Sequence, residues 1–213
     1  MNEAIASIRK DYRLKSLLEA DVKKDPVEQF SCWWDEAVKS DVAEVNAMTL
    51  ATCSVAGRPS ARIVLLKGFT NEGFVFFTNY QSHKGKELES NPCAALVFFW
   101  KELERQVRIE GAVEKISEAQ SDSYFQSRPT GSKIGAWASA QSSAVANREV
   151  IEESYLNYSK KFNANLIPRP SYWGGYIVKP EKIEFWQGRS SRLHDRILYS
   201  KQNEEWKIER LSP

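Results

Sequence analysis

The chain has 213 residues, of which 42% are hydrophobic and 12% aromatic, so it can bury a substantial core as one sizeable domain or two small ones. Its 30 Lys and Arg residues nearly balance 28 Asp and Glu residues, and the net charge of +2 argues against a general nucleic-acid binder. Any anion site must therefore come from local clustering of cations.

Three cysteines, Cys32, Cys53 and Cys93, show no metal-ligand spacing and lie among apolar or strand-like neighbours. An odd number without a pattern indicates buried thiols in a reducing compartment. No secretory signal is visible, and no apolar run approaches the roughly 20 residues of a membrane span. We therefore expect a cytoplasmic protein that binds neither a metal nor a membrane.

The sequence predicts a basic mobile arm over residues 1–24, followed by a single domain over residues 25–213. Asp25–Glu28 is typical of a helix start, with a capping Asp and a Pro at the first helical position. The helix that follows should bury an apolar face made of Phe30, Trp33, Trp34, Ala37 and Val38.

From Ala47 onward the hydrophobic period is that of strands joined by short turns, which predicts antiparallel neighbours. The strand Cys93–Trp100 is almost wholly apolar, so both of its faces should be buried. The elements predicted in this part are strands Met48–Ser54, Ser60–Phe69 and Phe74–Asn79, a helix Ser82–Ser90, and strands Cys93–Trp100 and Arg105–Ile116.

A capping box at Ser117–Gln120 opens a helix that should end near Ser127. Residues 130–146 are small and polar, with Gly131, Gly135 and four Ser, and the sequence assigns no regular element to them. A helix Asn147–Phe162 and strands Tyr172–Val178, Lys182–Gln187, Ser191–Ser200 and Trp206–Glu209 complete the chain. Eight or nine strands at hairpin spacing predict an α+β, mainly antiparallel small barrel with helices packed outside.

The predicted strand around Arg62–Lys67 carries a cation at each end of an apolar run. Residues five apart face opposite sides of a regular strand, so both cations reach one pocket only at a bulge or at the end of the strand. Solvated strand ends are the simpler interpretation of this motif.

Two further stretches suit phosphate groups. In Phe77–Gly85 a strand enters a helix through hydroxyls, His83 and Lys84, although an ordinary capped helix explains this motif equally well. Tyr124 and Arg128 share one helix face, and Ser132 follows in a Gly-containing turn, which indicates a second phosphate cradle. Gln141–Ser143 adds a polar loop.

The stretch Glu184–Arg196 predicts two strands with a break at Gly188–Ser190. Arg192, His194 and Arg196 would then form one row on a strand face, with Leu193 on the other face. Such a row could read an anion around a titratable group, or it could defend an edge strand by charge.

The sequence contains no zinc spacing, no P-loop, no GxSxG elbow and no GxGxxG after a strand. Many anion donors and aromatic residues instead favour a phosphorylated aromatic cofactor that supplies the difficult chemistry.

In their order along the chain these motifs resemble the pyridoxine/pyridoxamine 5′-phosphate oxidase family, from about Arg9 to Pro213. The residues that carry the resemblance are Arg62–Lys67, Phe77–Tyr80 with Ser82–Lys84, Leu103–Val107, Tyr124 with Ser127–Pro129, Ile134–Trp137 with Gln141–Ser143, Trp173–Gly175, and Glu184–Gly188 with Arg192–Arg196.

The resemblance implies a split β-barrel homodimer with FMN at the dimer interface. It implies oxidation of pyridoxine 5′-phosphate or pyridoxamine 5′-phosphate to pyridoxal 5′-phosphate, with O2 as the acceptor and H2O2 as a product. The positions matched to FMN are Arg62, Ile63, Val64, Leu65, Leu66, Lys67, Phe77, Thr78, His83, Lys84, Gln106, Gln141, Ser142, Trp186 and Arg196.

The positions matched to substrate are Lys67, Tyr124, Arg128, Ser132, Arg192, Leu193 and His194, with Arg9, Lys10, Asp11 and Tyr12 in a covering arm. The resemblance gives Arg192 and His194 the catalytic positions over the substrate ring. His83 departs from the Arg that the family commonly has, so we expect FMN affinity to be weaker or to fall as the pH rises through the His pKa.

Three other functions remain open from the residues. The first is a split-barrel flavin reductase, which the second phosphate cradle disfavours because the substrate of such an enzyme needs no second phosphate pocket. A barrel could also store or sense a flavin or haem without catalysis. A barrel that binds single-stranded nucleic acid through aromatics and cations is disfavoured by the near-neutral charge.

Overall fold

The computed structural model describes residues 3–7, 11–162 and 166–213. Within these ranges the helices are α1 (Glu3–Ala6), α2 (Pro26–Lys39), α3 (His83–Ser90), α4 (Glu118–Ser127), α5 (Thr130–Ala138) and α6 (Arg148–Phe162). The strands are β1 (Ala47–Cys53), β2 (Pro59–Leu65), β3 (Gly68–Thr70), β4 (Gly73–Asn79), β5 (Cys93–Trp100), β6 (Arg105–Lys115), β7 (Trp173–Gln187), β8 (Asp195–Gln202) and β9 (Glu205–Arg210).

These strands belong to one sheet with the order β2-β1-β5-β6-β7-β4-β3, and β8 pairs with both β7 and β9. The pairings β3–β4, β4–β7, β7–β8 and β8–β9 are all antiparallel. The mainly antiparallel α+β class predicted from the sequence is therefore confirmed. In the described part of the chain no helix is long and apolar enough to cross a membrane.

The chain divides into two compact units. The first unit comprises Met1–Thr49, Ala95–Gly111 and Pro180–Pro213, and the second comprises Leu50–Ala94 and Ala112–Lys179. The predicted division into an arm and one domain stays a prediction.

Helix α2 organises the core of the first unit. Asp25 caps it by accepting hydrogen bonds from the Val27 and Glu28 amides, as its sequence predicts. Phe30 is fully buried and packs 5.2 Å from Phe98 between ring centroids, while Trp33 packs on Phe185. Of the other members of the predicted apolar face, Ala37 is also fully buried, whereas Trp34 is only partly buried and Val38 is 51% exposed.

The second unit is built around β4, which pairs with β3 on one side and with Trp173–Val178 of β7 on the other. Its helices pack on a cluster of Phe125, Ile134, Ile167 and Trp173. Ser117 caps α4 in the predicted capping box with Gln120. This packing places the ends of β2, β4 and α4 on a common pocket, described below.

Several predicted elements differ from the structure. The stretch 60–69 is two strands, because β2 ends at Leu65 and β3 begins at Gly68. The stretch 172–187 is one strand, β7. Its first part pairs with β4 and its last part with β8. Pro180 lies between the two parts, where neither of these ladders needs the N–H that proline lacks. Residues 130–138 form α5, where the sequence assigned no regular element.

Strand β5 was expected to be buried on both faces, and this expectation is wrong for the isolated chain. Its burial alternates, with Leu96 and Phe98 inside and Phe99 54% exposed. Cys93 is also exposed, contrary to the expectation of buried thiols.

Candidate functional site

One pocket of about 580 Å³ lies in the second unit and gathers twelve of the residues selected from the sequence. These are Arg62, Ile63, Val64, Leu65, Lys67, Phe77, Thr78, Lys84, Tyr124, Arg128, Ser132 and Gln141. The pocket wall also contains Pro129 and Trp173, for which the sequence predicted no role. Residues from the predicted FMN set and from the predicted substrate set thus share one cavity.

The end of β2 explains how two cations five residues apart reach the same pocket. Arg62 lies within β2, whereas Lys67 follows its last residue, Leu65. The Lys67 amide donates to the Val75 carbonyl at 2.8 Å, which fixes the chain as it leaves the strand. Leu66 is 3% exposed and points into the core instead of the pocket. The pocket therefore lies at the strand end, one of the two arrangements that the spacing allowed.

Lys84 enters the pocket from the first turn of α3. Ser82 caps this helix by accepting from the Gly85 amide, and a Cβ at Gly85 would clash with the Tyr80 carbonyl, so only glycine allows this close approach. The Lys84 ammonium is buried and donates to Thr78 Oγ1 (3.1 Å), Ser82 Oγ (3.3 Å) and Gln141 Oε1 (3.3 Å). None of these three acceptors carries a charge.

The environment of Lys84 destabilises its positive charge. Burial lowers its pKa, and the nearby charge of Arg62 lowers it further. In the described part of the chain no carboxylate forms an ion pair with Lys84. A buried ammonium gains most from a charge-assisted hydrogen bond with an anionic ligand.

Arg128 provides a second cationic group. It caps the C-terminus of α4, and its guanidinium carbon lies 4.5 Å from the centroid of the Trp173 ring. Its Nη1 atom is buried and has no hydrogen-bond partner among the residues that the structure describes, and burial lowers the pKa of the guanidinium. An orphaned donor on a pocket wall fits an oxyanion that would complete it.

Ser132 and Tyr124 flank Arg128. Ser132 lies in the first turn of α5, not in the predicted Gly-containing turn, and its amide donates to the Pro129 carbonyl at 2.9 Å. Tyr124 stacks on Phe77 with centroids 3.9 Å apart, and Trp173 continues the stack at 5.5 Å from Phe77. These near-parallel rings form a flat apolar wall beside the cations.

His83 and Ser142, two of the positions matched to FMN, do not line this pocket. His83 is 66% exposed at its side chain, and its Nε2 lies 3.2 Å from Glu87 Oε1. Ser142 is exposed with a φ of 70°. Their roles toward FMN stay predictions.

The remaining matched residues belong to the first unit, where the predicted row of Arg192, His194 and Arg196 is wrong. Strand β8 begins only at Asp195, and Ser190–Arg192 form a 3-10 turn. Ser191 and Arg192 both have positive φ values, 56° and 61°, which a regular strand cannot accommodate. Arg192 and Leu193 are consequently exposed in a turn, and only Arg196 lies on the strand.

His194 is half-buried against an aromatic group. Its ring lies 4.6 Å from Trp186 and 6.0 Å from Tyr12 between centroids. Its Nδ1 accepts a hydrogen bond from the Arg189 amide at 3.1 Å, so the neutral ring carries its proton on Nε2. Burial, followed by the charge of Arg192, lowers the pKa of His194.

Arg196 is held by Glu184 across β7 and β8. Nε–Oε1 and Nη2–Oε2 distances of 2.8 and 3.0 Å define a bidentate pair, and these bonds raise the pKa of Arg196. Gln106 is half-buried on β6. The two hydrogen bonds to Glu184 therefore fix the orientation of the Arg196 guanidinium.

The described part of the arm is tied to the first unit. The Arg13 and Leu14 amides donate to Glu104 Oε2 at 2.9 and 3.1 Å, and Leu17 is buried. A Cβ at Gly188 would lie 2.7 Å from the Tyr12 ring, so glycine lets this tyrosine pack closely. Asp11 is exposed and pairs with Arg13. Arg9 and Lys10 lie outside the described residues.

The mainly antiparallel fold and the cationic, aromatic-lined pocket define a protein of the split-barrel class. A family model described as pyridoxamine 5′-phosphate oxidase matches residues 34–156, and one described as the pyridoxine 5′-phosphate oxidase C-terminal dimerisation region matches residues 173–213. The chain belongs to the pyridoxamine 5′-phosphate oxidase family.

Relatives and solved structures agree with this assignment. Proteins named pyridoxine/pyridoxamine 5′-phosphate oxidase from Trichormus variabilis (56% identity, 100% of both chains) and pyridoxine/pyridoxamine 5′-phosphate oxidase 1 from Ralstonia nicotianae (58%, 99% of both chains) match over full length. PhzG from Burkholderia lata 383, solved with tetrahydrophenazine-1-carboxylic acid, superposes with a TM-score of 0.88 at 28% identity over 94% of this chain and 99% of that chain.

An FMN-binding protein from Nostoc punctiforme described as pyridoxamine 5′-phosphate oxidase-related shares the fold, with a TM-score of 0.69 and 18% identity over 88% of this chain and 97% of that chain. The split β-barrel fold class predicted from the sequence is confirmed.

Proposed function

We propose that the protein is an FMN-dependent oxidase that converts pyridoxine 5′-phosphate or pyridoxamine 5′-phosphate to pyridoxal 5′-phosphate, with O2 as the electron acceptor and H2O2 as a product. The amine route also consumes water and releases ammonia. This activity serves the synthesis and salvage of vitamin B6 cofactors. The proposal is supported by the full-length relatives, which are named pyridoxine/pyridoxamine 5′-phosphate oxidase.

The observation that carries the proposal is the pairing of two cationic groups in one cavity. Lys84 is buried with neutral partners, and the buried Nη1 of Arg128 has no hydrogen-bond partner within residues 3–7, 11–162 and 166–213. Both line the same pocket, and an aromatic wall of Phe77, Tyr124 and Trp173 lies beside them. Two phosphates and flat rings are the ligands that such a cavity complements.

In this proposal Arg62–Leu65, Lys67, Phe77, Thr78, Lys84 and Gln141 hold FMN, with its phosphate at Lys84, while Leu66 packs into the core beside them. Bound FMN supplies the two-electron acceptor chemistry that no amino-acid side chain provides. Lys67, Tyr124, Arg128 and Ser132 bind the substrate phosphate. Charge-assisted hydrogen bonds at both ends restrict the orientation of the substrate before it reacts.

The residues of the first unit have separate proposed roles. Arg192 orients the substrate ring, and His194 offers its Nε2–H as a hydrogen-bond donor because its Nδ1 is already an acceptor. Gln106, Trp186 and Arg196 contact FMN, as do His83 and Ser142 of the second unit. Tyr12 covers the site with the arm. We also propose a homodimer with FMN at the interface, which the match of residues 173–213 to a dimerisation region supports.

Oxygen uptake by the purified, FMN-supplemented protein tests this function. We expect uptake with pyridoxine 5′-phosphate and pyridoxamine 5′-phosphate, matched by formation of pyridoxal 5′-phosphate and H2O2. Tetrahydrophenazine-1-carboxylic acid, the ligand of the structural neighbour PhzG, provides the comparison substrate. Uptake with that acid and none with either phosphate would assign the pocket to a different oxidation.

A further inference from the structure

Arg62, on the pocket wall, is held by groups that lie behind it in the second unit. Its Nη1 donates to Thr52 Oγ1 at 2.5 Å and to the Leu50 carbonyl at 3.3 Å, while its Nη2 donates to Ser60 Oγ. The side chain is 21% exposed and lines the pocket. Two hydroxyls and a carbonyl therefore fix the plane of this guanidinium.

Glu87 completes the network from helix α3. Its Oε2 accepts hydrogen bonds from Thr52 Oγ1 and Ser60 Oγ, both at 2.5 Å, and lies 3.5 Å from Arg62 Nη2. The Glu87 side chain is 8% exposed and does not line the pocket. Each hydroxyl accepts from Arg62 and donates to Glu87, so the carboxylate sets the direction of both hydroxyl dipoles.

The ionised state of Glu87 is the one that the network needs. Burial acts to raise its pKa, but the hydrogen bonds from Ser60 and Thr52 and the neighbouring His83 and Arg62 together lower it. An ionised carboxylate only accepts hydrogen bonds, which leaves Thr52 and Ser60 as the donors.

Arg62 also lies close enough to Lys84 to affect it electrostatically, since its charge contributes to the lowered pKa of Lys84. Two cations on one pocket wall repel each other when no anion lies between them. A carboxylate behind Arg62 offsets this repulsion and holds the guanidinium in place before a ligand arrives.

We propose that Glu87 is a positioning residue that acts through Thr52 and Ser60 to hold Arg62 in the orientation that binds the phosphate of FMN. The proposal rests on the FMN site proposed above, and it goes beyond that site because Glu87 does not line the pocket. Its effect is confined to ligands that carry the phosphate.

The test compares FMN with riboflavin, which has the same ring and side chain but no phosphate. Dissociation constants are measured by flavin fluorescence quenching on the apoprotein. In Glu87→Ala we expect the dissociation constant for FMN to rise at least about tenfold, because a charge-assisted contact loses its geometry. The constant for riboflavin stays within about twofold of the wild type, which is within ordinary context effects.

Two further variants separate positioning from general damage. Glu87→Gln keeps a carbonyl oxygen that can accept from both hydroxyls but lacks the charge that offsets the repulsion between Arg62 and Lys84, so its FMN affinity should lie between those of Glu87→Ala and the wild type. Ser60→Ala removes one bridge but leaves Glu87 in place with its hydrogen bond from Thr52, so FMN affinity should fall selectively even if Glu87→Ala folds poorly. The matched control is Glu89→Ala, an exposed carboxylate of the same helix, which should bind both flavins like the wild type.

Equal weakening of FMN and riboflavin in Glu87→Ala and Ser60→Ala would show a merely structural role and overturn the proposal. Wild-type affinity for FMN in Ser60→Ala and Glu87→Ala would overturn it as well. Failure of the wild-type protein to bind FMN at all is a different result, since it removes the proposed function together with the role of Glu87.

Discussion

The guanidinium of Arg128 lies 4.5 Å above the ring of Trp173, and in the described part of the chain its buried Nη1 has no hydrogen-bond partner. The cation–π contact fixes the guanidinium on the pocket wall but cannot satisfy that donor. A buried N–H without a partner destabilises the free protein by about 1–3 kcal/mol. A ligand oxyanion at this point recovers that free energy on binding.

Replacement of Arg128 by Met should weaken binding of the substrate without weakening binding of FMN. We expect KM for pyridoxine 5′-phosphate to rise about tenfold to a hundredfold, because one charged hydrogen-bond donor is lost. The dissociation constant of FMN should remain unchanged. Steady-state kinetics and a flavin titration check the two parts, with the exposed Arg148→Met as the matched control. An unchanged KM would remove Arg128 from the substrate site.

Replacement of Lys84 by Met should have the opposite selectivity. The buried ammonium donates to Thr78, Ser82 and Gln141, and burial lowers its pKa, so its charge is already destabilised in the free protein. FMN affinity should fall about tenfold or more, and riboflavin affinity should change little. Lys86→Met, on the exposed side of the same helix, is the control. Equal losses for the two flavins would contradict a phosphate site at Lys84.

Replacement of Arg192 by Ala should reduce turnover strongly while FMN remains bound. A loss of about a hundredfold is typical when a group that orients a reacting substrate is removed. The same variant should raise the pKa of His194, because the charge of Arg192 contributes to lowering it after burial. An NMR titration of the His194 imidazole ring measures this pKa shift independently of activity. Wild-type turnover in Arg192→Ala would refute its catalytic role.

Glu87 should contribute to the acid sensitivity of the apoprotein. Its pKa is lower in the folded protein than its ordinary value, so its stabilising effect is complete above the unfolded carboxyl pKa of about 4.3 and is lost as the pH falls through the lower folded pKa. From about pH 5 to about pH 3 the wild type should lose more stability than Glu87→Gln. Thermal unfolding across this range measures the difference. Parallel curves for the two proteins would show that Glu87 is not linked to folding in this way.

Local signals predicted the parts of the fold that depend on nearby residues. The caps at Asp25 and Ser117 satisfy amides two or three residues away, so the sequence contains the whole interaction. Helix α5 was missed because Gly131 and Gly135 have low helix propensity. It forms because Ile134 packs against Phe125 and Trp173, which are distant in sequence.

In the candidate site, too, the sequence predicted the features that depend on nearby residues and missed those that depend on distant ones. The spacing of Arg62 and Lys67 allowed a pocket at the strand end, and the chain does leave β2 between them. The positive φ values at Ser191 and Arg192 carry no signal in these residue types, so the predicted row was wrong. The Glu87 network joins helix α3 to two strands through side chains alone, and no local pattern reveals it.

The measurement that tests the central claim most directly is anaerobic mixing of the FMN-loaded protein with substrate, followed by the visible absorbance of the flavin. We predict that pyridoxine 5′-phosphate abolishes this absorbance, that O2 restores it, and that unphosphorylated pyridoxine at the same concentration leaves it nearly unchanged. Equal bleaching by the two compounds would contradict a second phosphate site in the pocket. No bleaching by pyridoxine 5′-phosphate would contradict the oxidase itself.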